Sequence, residues 1–313
     1  MDAAGPEKNH SGSLRATGSW TSPQTASRSR MAPKPSSSIS ARNAFLHPAG
    51  VLLTGLLVVV LAALLLHPLG SFDIWWHLAT GREIVARQAI PRTDLFSYTV
   101  AGQPWLNTNW LSQVILYGIH QLAGPNGLIL FNAGLTLLAF SLVLSLALRE
   151  SSPLLVGLCA IPVLLVSSLR LVVRPETFSL LFVCLELVLL ERARRSSPRV
   201  LWWIPVLQAV WVNLHGYFWL GWAMVGAYVV GGWAGRFQRD PAGRRPFQLR
   251  RWLLVLAATI AASCLNPYGW RAPLYLLTYS RVVVPLHRIS VGEWQPTLEA
   301  IGMAGWGSVL PWY

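Results

Sequence analysis

The chain has 313 residues, 53% of them hydrophobic and only 12% charged, with a formal net charge of +13 and a mean hydropathy of +0.46. Long charge-free runs at that hydropathy exclude an ordinary water-soluble globule and predict an all-α, polytopic integral membrane helical bundle. The basic residues stand in short blocks between apolar runs, not along one stripe with stacking aromatics, so membrane topology explains them better than a nucleic-acid partner does.

Residues 1–48 carry Ser, Thr, Pro and scattered Lys and Arg with too little apolar surface to pack, and read as a disordered basic tail. The tail's acid-poor character resembles a transit peptide, and Met31 is an alternative start to Met1; neither reading alters the membrane domain expected over 49–313. Apolar runs follow at 49–66, 127–148, 153–169, 177–190, 200–212, 217–235 and 252–265, about seven candidate spans on hydropathy. Cys159, Cys184 and Cys264 each lie inside such a run without metal-ligand or redox spacing, and read as small apolar residues.

Charge blocks assign a direction to the spans. Arg192, Arg194, Arg195 and Arg199 share one connection, Arg236, Arg239, Arg244, Arg245, Arg250 and Arg251 another, and the tail adds Lys34 and Arg42. All three are cytoplasmic under the positive-inside bias if residues 107–122 lie along the outer surface as an amphipathic helix. The loop 70–125 then faces outward, as do "LRLVVRPE" (169–176), "NLHG" (213–216), "NPYG" (266–269) and "GEWQPT" (292–297). The runs 177–190, 200–212 and 252–265 are shorter than the roughly 20 residues that cross hydrocarbon, and each abuts an outward polar motif. Polar backbone at that depth needs protein or water around it, which predicts an outward-opening recess.

The polar motifs supply candidates in chain order. Asp73 opens "DIWWHLATGREIVARQ", a surface helix anchored by Trp75 and Trp76; Asp73 either caps that helix or takes a proton from an acceptor hydroxyl. His77 lies one turn on, and the two could ligate a divalent metal, although two ligands do not make a site. "IPRTDLFSYTVAGQPW" reads as extended with a turn near Ala101 and Gly102, where Asp94 either closes an Asx-type turn or serves as the second candidate base. Arg170 and Arg174 are spaced to share a helix face, either reaching to the interface or clamping a phosphate, with Glu176 able to hold one of them. Asn213 and His215 in "WVNLHGYFW" either close a hairpin on its own backbone or hold a sugar hydroxyl, and Glu293 is a third outward acid.

"DIWWHLATGREI", "IPRTDLFSYTVAGQPWLNTNWL", "RPETFS", "WVNLHGYF", "NPYG" and "EW", in this order over residues 49–297, resemble the GT-C-type membrane glycosyltransferases, among them protein O-mannosyltransferases and aminoarabinose transferases, and above all GT-C-like bacterial membrane proteins. The resemblance implies transfer of a sugar from a polyprenyl-phosphate carrier to an acceptor glycan, lipid or protein on the extracytoplasmic face of the plasma membrane. By position it makes Asp73 the first-loop acid and Arg170 and Arg174 the nearest candidates for the lipid phosphate. Such loops commonly carry an Asp-Glu pair, whereas Ile74 follows Asp73; members also continue beyond the equivalent of Tyr313, which implies a chain incomplete at its C-terminus. Two rivals stand beside this expectation. A lipid or small-solute transporter would show midplane binding groups and internal repeats, and a non-catalytic scaffold would have no recess.

Overall fold

A computed structural model describes residues 48–71, 73–167, 171–235 and 247–278. Among them the chain forms nine α-helices, two short 3-10 turns and a single isolated β-bridge. The helices are α1 (Pro48–Leu65), α2 (Asp73–Arg87), α3 (Trp110–Glu150), α4 (Pro153–Ser167), α5 (Glu176–Arg195), α6 (Trp203–Leu214), α7 (Trp219–Ala234), α8 (Leu249–Ala262) and α9 (Arg271–Thr278). The all-α class therefore stands.

Among the described residues one helix, α3, is long and apolar enough to cross a membrane; stretches of α1 and α4 are apolar but shorter. α3 is in fact two helices meeting at a kink, because Gly124 leaves helical geometry (φ 63°, ψ −160°) and Pro125 cannot donate to the turn before it. The break falls between the segment expected along the surface, 107–122, and the apolar run at 127–148.

α5 is the central element, packing on α3, α6 and α7. Two apolar clusters lie along it. Phe178, Phe182, Trp211, Val212, Leu214 and Phe218 fill the space near its start, and Leu190, Leu201, Ile204, Val225, Trp252 and Val255 fill that near its end. α1 and α4 pack together on one flank of α3, joined by Leu61, Leu65, Ala133 and Leu164. α2 lies against the first half of α3 at close range. A β-carbon at Gly81 would stand 2.2 Å from the Gln113 carbonyl oxygen, so only glycine permits this approach.

The connections that lead into α3 and α5 differ in how far they follow their sequence pattern. The segment 91–105 is a loop of bends that turns, as expected, at Ala101 and Gly102 (φ 78° at Gly102), and is closed by Thr93 bridging Pro104 and by the Trp105 amide donating to the Arg92 carbonyl at 2.8 Å. Arg174, in contrast, is on no helix. α4 ends at Ser167, and residues 171–174 form an irregular connection into α5. The residue before a proline is pushed away from helical geometry, so Pro175 stands at the cap of α5 and leaves Arg174 outside it. The expectation that Arg170 and Arg174 share a helix face is corrected for Arg174. Arg170 lies outside the described residues, as do Glu293, the tail up to residue 47 and the arginines at 236–245.

Candidate functional site

Connections expected on one side of the protein converge at one end of the bundle, around a cavity of about 600 Å³. Its wall takes Asp73 and His77 from α2, Trp105, Thr108 and Asn109 from the entry to α3, Arg174 and Glu176 from the start of α5, His215 and Tyr217 from the α6–α7 turn, and Tyr275 from α9. A cleft of about 700 Å³ lies by Leu66, Leu69, Trp75, Pro125, Ile129 and Leu130; its wall carries no acid, and His67 is its one titratable side chain. Acid, guanidinium and imidazole together occur in the first cavity.

Asp73 is the first residue of α2, and its side chain is 65% exposed. The Arg174 guanidinium approaches its Oδ2 to 3.7 Å, an ion pair too long to be a hydrogen bond. Arg174 Nε donates to Ser71 Oγ at 3.1 Å, which fixes the guanidinium beside the carboxylate. The connection that carries Arg174 is itself tied down. Thr177 Oγ1 donates to Asn132 Oδ1 on α3 at 2.7 Å, and the same asparagine reaches the Leu171 carbonyl at 3.5 Å.

His77 is buried, and a chain of amides determines its tautomer. The Asn109 backbone N–H donates to Asn107 Oδ1 at 3.2 Å, so Asn107 Nδ2 is the group that donates to Gln113 Oε1 at 2.7 Å. Gln113 Nε2 must then donate to His77 Nδ1, 3.2 Å away, leaving the imidazole proton on Nε2. His215 is set by a second chain. Trp211 Nε1 donates to Ser179 Oγ at 2.8 Å, and the hydroxyl in turn donates to His215 Nδ1 at 2.9 Å. The Tyr217 amide adds a longer bond of 3.4 Å to the same nitrogen, so His215 too carries its proton on Nε2.

Both imidazoles are held neutral. Burial, reinforced by His215 and Arg174, pushes His77 down to about 3, and burial pushes His215 down to about 4. The site thus brings the Asp73 and Glu176 side chains, one guanidinium and two neutral N–H donors to one cavity, the donors suited to an anionic group and the exposed Asp73 carboxylate to a neighbouring hydroxyl.

Four of the expected site residues, Asp73, His77, Arg174 and His215, line this cavity. Two others do not. Asp94 closes its own turn, accepting from the Phe96 and Ser97 amides at 2.9 and 2.7 Å and from Ser97 Oγ at 2.8 Å. The Ser97 amide first, then its hydroxyl and the Phe96 amide, hold this carboxyl below the usual range, the reverse of what a reserve base needs. Asn213 spends its groups on structure. Its Nδ2 donates to the Ala209 and Leu265 carbonyls at 2.8 and 2.9 Å, and its Oδ1 accepts from Trp110 Nε1 at 2.9 Å. The sugar-holding role expected for Asn213 is thereby replaced by a tie between α6, α3 and the end of α8. Arg170 and Glu293 lie outside the described residues. For a metal, no group of three or more His, Cys, Asp or Glu side chains occurs among the described residues.

The residues that orient the imidazoles, Asn107, Gln113, Ser179 and Trp211, escape a reading of the sequence. Asn107 and Ser179 stand in "NTNW" and "RPETFS", but a motif does not disclose that its polar residues serve histidines 30 or more positions away. Compared with known proteins, the chain matches no family model, no curated protein and no solved structure.

Proposed function

We propose that the protein is a polytopic membrane glycosyltransferase that moves a sugar from a polyprenyl-phosphate carrier to an acceptor hydroxyl, using the cavity between α2, α5, α9 and the α6–α7 turn. The observation that carries this reading is the meeting of Asp73 with Arg174 at 3.7 Å in a cavity also lined by His77 and His215. Lipid as the surrounding solvent is supported by large apolar side chains left outside the core on several helices, including Leu52 and Val59 of α1, Leu165 and Val166 of α4, Val230 of α7 and Leu254 of α8. The cavity's lining comes from connections that the charge pattern assigns to the outer side, which supports a reaction on the extracytoplasmic side of the plasma membrane.

In this mechanism Asp73 takes the proton of the acceptor hydroxyl as its oxygen attacks the anomeric carbon. The bond from that carbon to the carrier phosphate breaks, and the departing phosphate keeps the electron pair. Arg174 stabilises the charge that builds there, with neutral imidazole N–H groups as further donors. An arriving phosphate competes for the Arg174 guanidinium, so donor binding itself loosens the arginine's hold on Asp73. Little else is required beyond positioning and charge stabilisation.

Mass spectrometry of lipids co-purified with the wild-type chain identifies the carrier, and radiolabelled transfer in proteoliposomes follows turnover. Asp73→Asn is expected to keep the bound lipid and lose transfer, while Arg174→Ala loses the lipid. Wild-type turnover in Asp73→Asn would remove the carboxylate from the mechanism; a wild-type preparation with no polyprenyl phosphate bound, and none accepted as donor, would overturn the reading as a whole.

A further inference from the structure

Glu186 stands midway along α5, 2% exposed, and its Oε1 receives no hydrogen bond. Gln208 faces it from α6, 1% exposed. The Gln208 amide nitrogen donates to the Phe218 carbonyl at 3.0 Å and to Ser263 Oγ at 2.8 Å. A main-chain carbonyl can only accept, so the amide cannot be flipped, and Gln208 Oε1 is an acceptor turned away from both partners. That oxygen receives no hydrogen bond either.

Gln208 Oε1 and the other oxygen of the Glu186 carboxyl border the same spot. A β-carbon at Gly221 on α7 would stand 2.5 Å from Gln208 Oε1 and 2.9 Å from Glu186 Oε2. The space exists because position 221 has no side chain. α5 and α6 therefore direct a carboxyl and an amide oxygen at the space left by Gly221 on α7, and among the described residues no ion pair reaches Glu186. Two facing acceptors repel, and a buried carboxylate without a partner is among the most destabilising arrangements a helix bundle can hold. One proton removes both problems, converting Glu186 into a donor for the oxygen opposite.

We propose that Glu186, Gln208 and Gly221 form a proton-binding site inside the bundle, in which Glu186 is the neutral acid and donates to Gln208 Oε1. The bond joins α5 to α6, and the Gln208 amide carries the connection onward to Phe218, which lines the cavity, and to Ser263 at the end of α8, where Trp222 Nε1 also donates at 2.9 Å. The site is a clamp beneath the cavity floor and is independent of the reaction proposed above.

The test is infrared spectroscopy of the full chain in nanodiscs at neutral pH, with thermal melts in sodium, lithium and choline chloride. The wild type is expected to show a protonated-carboxyl carbonyl band that vanishes in Glu186→Gln, whose amide supplies a replacement donor and keeps the melting temperature near wild type. Gln208→Leu removes the acceptor, so the band persists and moves to higher frequency; this decides the matter even if Glu186→Gln does not fold. Absence of such a band in the wild type overturns the proposal. So does a wild type stabilised by sodium or lithium but not by choline, with the effect lost in Glu186→Gln, since a small cation would then occupy the pocket.

Discussion

The two ends of α5 hold charge in opposite ways. At its C-terminal end Glu191 accepts from Arg194 at 2.8 Å, from Arg195 at 2.9 Å and from Tyr228 Oη at 2.6 Å, while Arg195 also pairs with Glu150 at the end of α3. Partial burial opposes ionisation of Glu191, but the bonds from Arg194, Tyr228 and Arg195 outweigh it and hold the carboxyl down to about 2. At the N-terminal end Asp73 meets one guanidinium at a distance too long for a hydrogen bond, and the neighbouring imidazoles are held neutral. A carboxylate saturated with donors, like Glu191, is a fastening. Asp73, loosely paired at the mouth of a cavity, keeps its oxygens available to a ligand.

The largest expected effect separates these two arginine environments. Arg174→Ala should lower transfer by roughly two to three orders of magnitude, the usual consequence of deleting a donor aimed at developing charge. Arg174→Lys should recover only part of it, because an ammonium lacks the planar fork that grips a phosphate and reaches Ser71 at once. Proteoliposome turnover of both variants measures this, and equal losses in Arg194→Ala would erase the distinction between the ends.

A steric test comes next. Gly81→Ala drives a methyl group against the Gln113 carbonyl and Tyr117, whereas a β-carbon at Gly226 on α7 meets nothing within 4 Å. The first substitution should destabilise by about 1–3 kcal/mol and displace the Gln113 amide from His77. Gly226→Ala should be neutral or stabilising by up to about 1 kcal/mol through helix propensity. Paired thermal melts decide it; equal shifts would mean that α2 is not seated as described.

The cavity end is legible in the sequence only in part. Asp73 and His77 stand out because they lie one turn apart in a polar interruption of an apolar chain, and the turn at Asp94 follows from its own local chemistry. Arg174 stands out by its charge, yet helical spacing misplaces it, because that spacing runs across a stretch that Pro175 removes from the helix. Asn213 looks like a binding residue because sequence shows a polar side chain but not the backbone carbonyls, 4 and 52 residues away, that claim it. Glu186 is hidden for a different reason. One acid inside the run 177–190 barely changes its hydropathy, and only the packing of α5, α6 and α7 reveals what that acid faces.

Acid should open the cavity end first. His77 and His215 have folded values near 3 and 4, below the 6.5 of a free imidazole, so at pH 7 both are neutral whether the chain is folded or not. As pH falls through 6.5 the unfolded chain binds protons that the folded chain excludes, and stability falls by up to about 1.4 kcal/mol per pH unit for each histidine. Glu191 loses its contribution in the same direction but in a lower window: it is complete above the usual carboxylate value of 4.5 and is lost only as pH drops toward 2. The difference in melting temperature between the wild type and His77→Gln, followed between pH 6.5 and 4.5, therefore reports His77, because the proton on Glu186 is common to both chains, and the wild type should show the steeper loss of stability as pH falls. An unchanged slope would show that the proton is admitted without disturbing the cavity.

The smallest effect is expected from Arg195→Ala. The side chain is 36% exposed and is shared between Glu150 and Glu191, but its removal leaves Glu191 with Arg194 and Tyr228. Exposed pairs of this kind contribute about 0.5 kcal/mol, because water screens the charges and two long side chains must be held still. The melting temperature should drop slightly at low ionic strength and the difference should fade in high salt, as it does for any pair within reach of counterions. Transfer and lipid retention should not change, because no atom of this cluster borders the cavity. A loss of transfer in Arg195→Ala, at full stability, would mean that the two ends communicate along α5, and the division of labour between fastening and chemistry would have to be replaced by a coupled pair of sites.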